Sequence, residues 1–265
     1  MNKFLLQVII SSFFLYSTLN FAQSRFSHEV GGYFGVASLQ TDFGDSGDFA
    51  SANQANLAVG LTHYLKFFGS QYSWRSGSSY FSDHFKLKTE FLYSNNSNIT
   101  HDGQSAKGSS ENAEKLRAMT SSVKLYNVGF NLEYYFLRLE DYASFYGAQD
   151  KLNPYISVGL QWSYYDPDIQ VDGVSLPANS DPYLSLIDKW QNNSIYVDPN
   201  NSFGVSGALG LRYSIEFVDL YLEGRYQYFF NDDIEGLDSL LDPANTSNDS
   251  MVLVSLGVVY VFGKN

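Results

Sequence analysis

Eight short segments of this chain alternate apolar and polar residues with period two. The last is Met251-Val-Leu-Val-Ser-Leu-Gly-Val-Val-Tyr-Val-Phe262. Successive side chains of a strand point to opposite faces, so each segment carries one apolar face. The segments span 27–37, 55–66, 84–94, 122–137, 154–165, 203–215, 218–230 and 251–262. A strand crosses a bilayer in about 9–11 residues, with lipid-facing and lumen-facing side chains alternating. An even number of such strands closes into a single-chain barrel. The chain therefore reads as all-β, an eight-stranded antiparallel transmembrane β-barrel. A soluble, Tyr-rich sandwich is the alternative.

The N-terminus reads as an export signal. Lys3 supplies positive charge, Phe4 to Leu15 is mostly apolar, and Asn20-Phe21-Ala22 before Gln23 fits a cleavage site. Residues 1–22 are expected to be a signal peptide and 23–265 the outer-membrane barrel domain. Nowhere else does the chain reach the ~20 apolar residues that a membrane helix needs. There is no cysteine, which excludes disulfides, Cys-bound metal and acylation at a mature Cys. Removing residues 1–22 takes away one Lys and leaves 15 basic against 28 acidic residues, a net charge of -13. Such a chain is a poor nucleic-acid binder. Its 21 Tyr and 21 Phe suit the aromatic girdles of a barrel.

Connection lengths set the expected orientation. The connections 38–54, 95–121, 166–202 and 231–250 are long and polar, whereas the sixth and seventh segments are joined by Glu216-Phe217 alone. Outer-membrane barrels keep short turns in the periplasm and long loops outside. Both termini are therefore expected in the periplasm. Two connections on that side, 67–83 and 138–153, are longer than plain turns and aromatic. Trp74, Tyr80, Tyr142 and Tyr146 are candidate docking residues there, with interfacial anchoring as the alternative. In the loops, Ser109–Thr120 is rich in helix formers. Asp181-Pro182 can cap and start a helix running to about Trp190.

Period two also assigns faces. Val252, Val254, Leu256, Val258, Tyr260 and Phe262 share one, as do Leu220, Leu222, Gly224, Tyr226, Tyr228 and Phe230. Tyr126, Val128, Phe130, Leu132, Tyr134 and Phe136 form the same kind of stripe. The opposite faces hold Glu29, Lys86, Lys88, Glu90, Glu133, Arg212, Glu223 and Arg225, four acids and four bases. An eight-strand lumen is just wide enough for its own side chains. Equal numbers of each sign point to a paired network plugging the interior. An ion path or gate is the alternative.

Little in the sequence carries chemistry. Lipid-modifying barrels use a His with a Ser and a carboxylate, and Ser27-His28-Glu29 brings those types together. Neighbours on a strand face opposite ways, so these three cannot form a triad. His63, His84 and His101 are scattered. Asp166-x-Asp168-x-x-x-Asp172-Gly173 resembles part of a calcium loop but lacks its third carboxylate and distant Glu. No catalytic residue, cofactor or metal site is assigned.

The runs Tyr80-Phe-Ser-Asp-His-Phe-Lys-Leu-Lys-Thr-Glu90, Lys115-Leu-Arg-Ala-Met119 and Gly224-Arg-Tyr-Gln-Tyr-Phe229 resemble a family of flavobacterial outer-membrane barrels. So do Ser27-His-Glu-Val-Gly31 and the Gly-Phe-Asn-Leu-Glu-Tyr-Tyr-Phe run ending at Phe136. More distantly, the chain is similar to the PorG barrels of the type IX secretion system, although its long loops depart from them. The resemblance implies a non-enzymatic barrel that anchors or scaffolds an envelope complex. It implies periplasmic secretion-ring components as partners; the barrel reading itself implies outer-membrane lipid and lipopolysaccharide, and Phe262 resembles the aromatic terminal-strand signal read by the barrel assembly machinery during biogenesis. A lipid-modifying enzyme and a narrow channel are the alternatives.

Overall fold

A computed structural model describes residues 26–41, 43, 55–67, 79–101, 106–139, 151–177, 195–215, 218–238 and 248–262. The strands are β1 (Phe26–Gln40), β2 (Asn56–Phe67), β3 (Phe85–Thr100), β4 (Met119–Tyr135), β5 (Leu152–Val171), β6 (Val174–Ser175), β7 (Asn200–Ile215), β8 (Val218–Phe229) and β9 (Ser250–Val261). Helix α1 (Tyr80–His84) precedes β3, and helix α2 (Glu111–Ala118) precedes β4. Eight strands are long, and β6 is a two-residue arm folded onto β5.

The sheet runs β4-β3-β2-β1-β9-β8-β7-β5, and β4 pairs with β5 from Met119↔Val171 to Tyr135↔Tyr155. That last ladder closes an eight-stranded antiparallel barrel. The first strand meets the last from Glu29↔Val261 to Gln40↔Ser250. Where all eight long strands pair, closure leaves no edge, so backbone groups there are satisfied inside the sheet, as hydrocarbon demands. Phe26 and Phe262 lie at one end of the barrel, called here the terminal end. The long connections gather at the opposite, far end.

The three apolar stripes read from the sequence all lie on the outer face. Phe34, Leu61, Phe130, Leu160, Leu209 and Val258 are among many large apolar side chains exposed there. Exposed to water, such a surface would drive aggregation. Against lipid it is the apolar band of a transmembrane barrel. Aromatic rings border it: Phe26, Phe136, Tyr260 and Phe262 at the terminal end, and Tyr126, Tyr164, Phe203 and Phe230 towards the far end.

Several strands outrun the period-two signal. β3 continues to Thr100 through Ser94-Asn-Asn-Ser-Asn-Ile, and β5 continues to Val171. These extensions carry few apolar residues, so a hydropathy pattern reads them as loop. Ladder hydrogen bonds hold them instead, across an irregularity between Asn96 and Ile99 where Asn98 takes a φ of 61°. Asp172-Gly173, the end of the calcium-like motif, is a tight hairpin turn between Val171 and Val174 with φ of 50° and 78°. Positive φ at both turn residues matches the right-handed strand twist, and Asp-Gly suits it. Asp168 of that motif accepts hydrogen bonds from Gln170 Nε2 at 2.7 Å and Ser175 Oγ at 3.1 Å. The motif is thus a hairpin among its own side chains.

Helix α2 is shorter than the expected 109–120 because Met119 already pairs in β4. Ser110 caps it, accepting from Ala113 N at 3.2 Å. Helix α1 has no counterpart in the sequence reading. Ser79 and Ser82 close a reciprocal cap at its start. The segment 181–190, the 1–22 signal, Trp74, Tyr142 and Tyr146 lie outside the described residues.

Candidate functional site: the lumen

The lumen is built by the alternate residues that the outer face leaves over. Glu29, Lys86, Lys88, Glu90, Glu133, Arg212, Glu223 and Arg225 all point inward and are buried. Two connected clusters hold them. Nearer the terminal end, Lys86 Nζ lies 2.8 and 2.9 Å from the two carboxylate oxygens of Glu29. Arg212 also bonds Glu29 and reaches Asp219 at 2.9 Å. Its guanidinium packs over the Tyr64 ring, 4.8 Å from the centroid. Arg212 donates to the Tyr135 hydroxyl at 3.2 Å, and that hydroxyl donates to Glu133 at 2.6 Å.

The second cluster lies one layer deeper. Lys88 Nζ is 2.6 Å from Glu223, 3.3 Å from Glu133 and 3.8 Å from Glu90. Arg225 bonds both oxygens of Glu90 and reaches Glu223 at 2.7 Å. Tyr155 adds a hydroxyl donor to Glu223 at 2.9 Å. Seven of the eight ions meet more than one partner, and Lys86 meets both oxygens of Glu29, contacts that desolvated charges require to persist.

Beyond the charges sits a neutral layer. Asn127 donates to Gln161 at 2.8 Å, and Gln161 donates to Asn131 at 2.8 Å and Ser206 at 2.7 Å. Ser163 donates to Asn127 at 2.6 Å. Asn131 donates to Glu90 at 3.0 Å and joins this layer to the ions. Towards the far end the interior turns apolar. Leu39, Ile99, Met119, Leu125, Met251 and Leu253 from the strands pack with Phe43, Leu116, Ile195, Ile234 and Leu237 from the connections. Ile195 bridges Leu237, and Tyr196 N donates to Gly236 O at 2.8 Å. The far mouth is thus covered by its own loops.

Tyrosine rings fill the remaining space beside glycines. Tyr33 faces Gly60, Tyr155 faces Gly210 and Tyr221 faces Gly257 across neighbouring strands. A Cβ on any of the three glycines would fall within 2.3 Å of the ring. The rings lie where those side chains would be.

Sequence reasoning missed Asp219, Tyr64, Tyr135, Tyr155 and the amide layer. The signal for Asp219 exists, since 219, 221, 223 and 225 share one strand face. The tyrosines alternate with lipid-facing rings, so composition alone assigns them to the girdle.

The four histidines do not gather at one site. His28 and His63 lie together on the outer face near the terminal end, with Nδ1 and Nε2 3.0 Å apart. Glu29, between His28 and Val30, points inward. His84 Nδ1 lies 2.8 Å from Tyr135 O, and His101 stacks on Phe43 at the far end. Of the expected docking residues, Tyr80 is described. It lies on α1, with its hydroxyl 2.7 Å from that of Tyr134. Sharing this hydrogen bond raises the Tyr80 phenol above its ordinary range.

No family model matches the chain, and no curated protein matches it. Among solved structures, Neisserial surface protein A is similar at 14% identity, covering 90% of this chain and 98% of its own, with a TM-score of 0.46. A major outer membrane protein of Thermus thermophilus is similar at 10% identity, covering 89% and 100%, with a TM-score of 0.47. Ail, the attachment invasion locus protein of Yersinia pestis, is similar at 10% identity, covering 89% and 99%, with a TM-score of 0.43. The likeness is one of fold alone.

Proposed function

We propose that this chain is a non-enzymatic outer-membrane barrel, with both termini in the periplasm, that anchors an envelope complex such as type IX secretion. The observation that carries the reading is the filled lumen. Ions, amides and an apolar cap occupy it in series, which leaves the rims and the outer face for function. Orientation follows from connection length. Ile215 pairs with Val218 at the terminal end with two residues between them in sequence, while long connections join the strands at the far end.

The terminal rim supplies a docking surface. Helix α1 leaves Tyr80 64% and Phe81 46% exposed. Phe81 also rests on Phe67 and Phe85, with ring centroids 5.0 and 4.7 Å apart. The barrel thus fixes the helix in place before any partner arrives, which lowers the ordering cost of binding. Exposed aromatics are enriched at binding hot spots. The resemblance of 80–90 and 224–229 to flavobacterial outer-membrane barrels, and the chain's more distant similarity to PorG, support the same role.

The test replaces Trp74, Tyr80 and Tyr146 with Ala and compares co-purification from detergent-solubilised outer membranes. Barrel assembly, read by heat-modifiable gel migration, should persist while periplasmic ring components are lost. Unchanged recovery would make these rings plain membrane anchors.

A further inference from the structure

His28 and His63 are out of place on a lipid-facing surface. They lie on β1 and β2, on the face that carries Val30, Leu61 and Leu65. The register sets His28 against Leu65 and Val30 against His63, so the two imidazoles are diagonal neighbours. Their rings meet edge to edge, with centroids 5.3 Å apart and planes inclined by 26°. His28 Nδ1 and His63 Nε2 converge to 3.0 Å. Both residues are half-buried, held on adjacent strands by a continuous backbone ladder. Val30, level with His63, is also paired with Tyr260 of the aromatic border. The pair therefore lies where lipid headgroups and water reach the barrel.

We infer that His28 and His63 form a two-imidazole site for a transition-metal dication such as Zn²⁺, Cu²⁺ or Ni²⁺. Two ring nitrogens share one hydrogen bond across a gap that is nearly the right size for an ion. Metal–imidazole bonds of about 2.0–2.1 Å set the nitrogens about 3.3 Å apart at the tetrahedral angle of Zn²⁺ and about 2.9 Å apart at the right angle of tetragonal Cu²⁺ or Ni²⁺. Opening the pair by a few tenths of an ångström and turning both rings until their lone pairs converge on one point admits the ion. The ring that donates the present hydrogen bond changes tautomer and carries its proton on its other nitrogen, so no proton need leave. Imidazole selects these metals over Mg²⁺ and Ca²⁺, which prefer oxygen. Among the described residues no group of three or more His, Cys, Asp or Glu is gathered to hold a metal. The remaining positions fall to water or headgroup oxygen, which makes the site open rather than structural. Neither the filled lumen nor the docking role is needed for it.

The test uses the full mature chain, refolded without a polyhistidine tag in a maltoside detergent that carries no phosphate. Cu²⁺ titration followed by electron paramagnetic resonance should show one equivalent bound, with splitting from two nitrogens. Leucine fits the lipid-facing positions, so His28→Leu and His63→Leu should fold, checked by heat-modifiable migration. Each should weaken binding by at least about tenfold, since losing even an outer-shell partner of a metal ligand costs about 10–100-fold in affinity. His28→Gln serves as a second variant with the same expected loss. His84→Leu and His101→Leu should bind as the parent does. Absence of stoichiometric binding, a signal without two nitrogens, or unaltered binding in His63→Leu would each overturn the site.

Discussion

Arg225 on β8 grips Glu90 on β3 across the lumen, its Nη2 2.6 Å from Oε2 and its Nη1 bonded to Oε1. Fork meets fork, which is the strongest geometry available to a guanidinium and a carboxylate. The value of such a pair is asymmetric. Replacing both ions with packed apolar groups is often neutral, but removing one partner strands the other. Arg225→Met should therefore cost about 3–5 kcal/mol, since both Glu90 and Glu223 lose a cation. Arg225→Met with Glu90→Gln should recover much of that. Urea unfolding in lipid vesicles measures both. Equal losses in the single and double variants would mean that the charges are solvated rather than paired.

The Tyr–Gly pairs invite a different test. At Gly257 an added Cβ would lie 2.1 Å from Tyr221 Cε1. The ring is buried, with Tyr33 6.5 Å away, so it has little room to retreat. Gly257→Ala should destabilise the barrel by about 1–3 kcal/mol, the usual cost of overpacking. In a Tyr221→Leu background the same change should cost far less. A double-mutant cycle by urea unfolding isolates that coupling. Additive losses would show that the ring and the glycine do not share space.

What the sequence made legible follows the period of the strand. Parity is a strict geometric rule, so the outer stripe of β9 and the inward run Lys86, Lys88 and Glu90 could both be read off. Where that contrast fades, the reading stopped. The far-end part of β3, Ser94 to Thr100, is strand by hydrogen bonding rather than by hydropathy. Partners were beyond reach for a second reason. Parity says that Arg212 faces the lumen, but its bonds to Glu29 and Asp219 depend on how three strands close around it. The His28–His63 contact joins residues 35 apart and needs the β1–β2 register. The apolar cap needs loops whose folding no alternation records.

Acid should tighten that cap. Burial, and then the neighbouring Asp233 carboxylate, raise the Asp238 carboxyl above its ordinary value of 3.8. A folded-state pKa above the unfolded one favours the protonated fold. Its contribution is therefore fully present in acid and is lost as pH rises through the raised value. The cap segment 231–238 should exchange its amides a few-fold faster at neutral pH than in acid, after correction for intrinsic rates. Asp238→Asn should remove that difference and protect Leu237 at neutral pH. Hydrogen exchange by mass spectrometry reads both. A cap that loosens in acid would reverse the sign and point to other carboxylates.

The filled interior makes a prediction about current. An ion crossing this barrel would meet three obstacles in series. The first is the Glu29–Arg212–Lys86 and Glu90–Arg225–Lys88 clusters, where every site for a mobile ion is already held by a fixed one. The second is the Asn127–Gln161–Asn131 layer, whose donors and acceptors are turned on each other. The third is the dry cap of Ile234, Leu237 and Phe43. Unpaired entry into such an apolar layer costs an ion several kcal/mol or more. Obstacles in series are governed by the worst of them, so breaching one leaves the path shut. The purified barrel should show no steady conductance in planar bilayers. Arg225→Ala with Glu90→Ala, which empties part of the first layer, should stay equally silent while the protein migrates as folded. Steady openings in the parent protein would contradict the sealed lumen. Openings in the double variant alone would place the whole seal in the charge layer and leave the amides and the cap with no share in it.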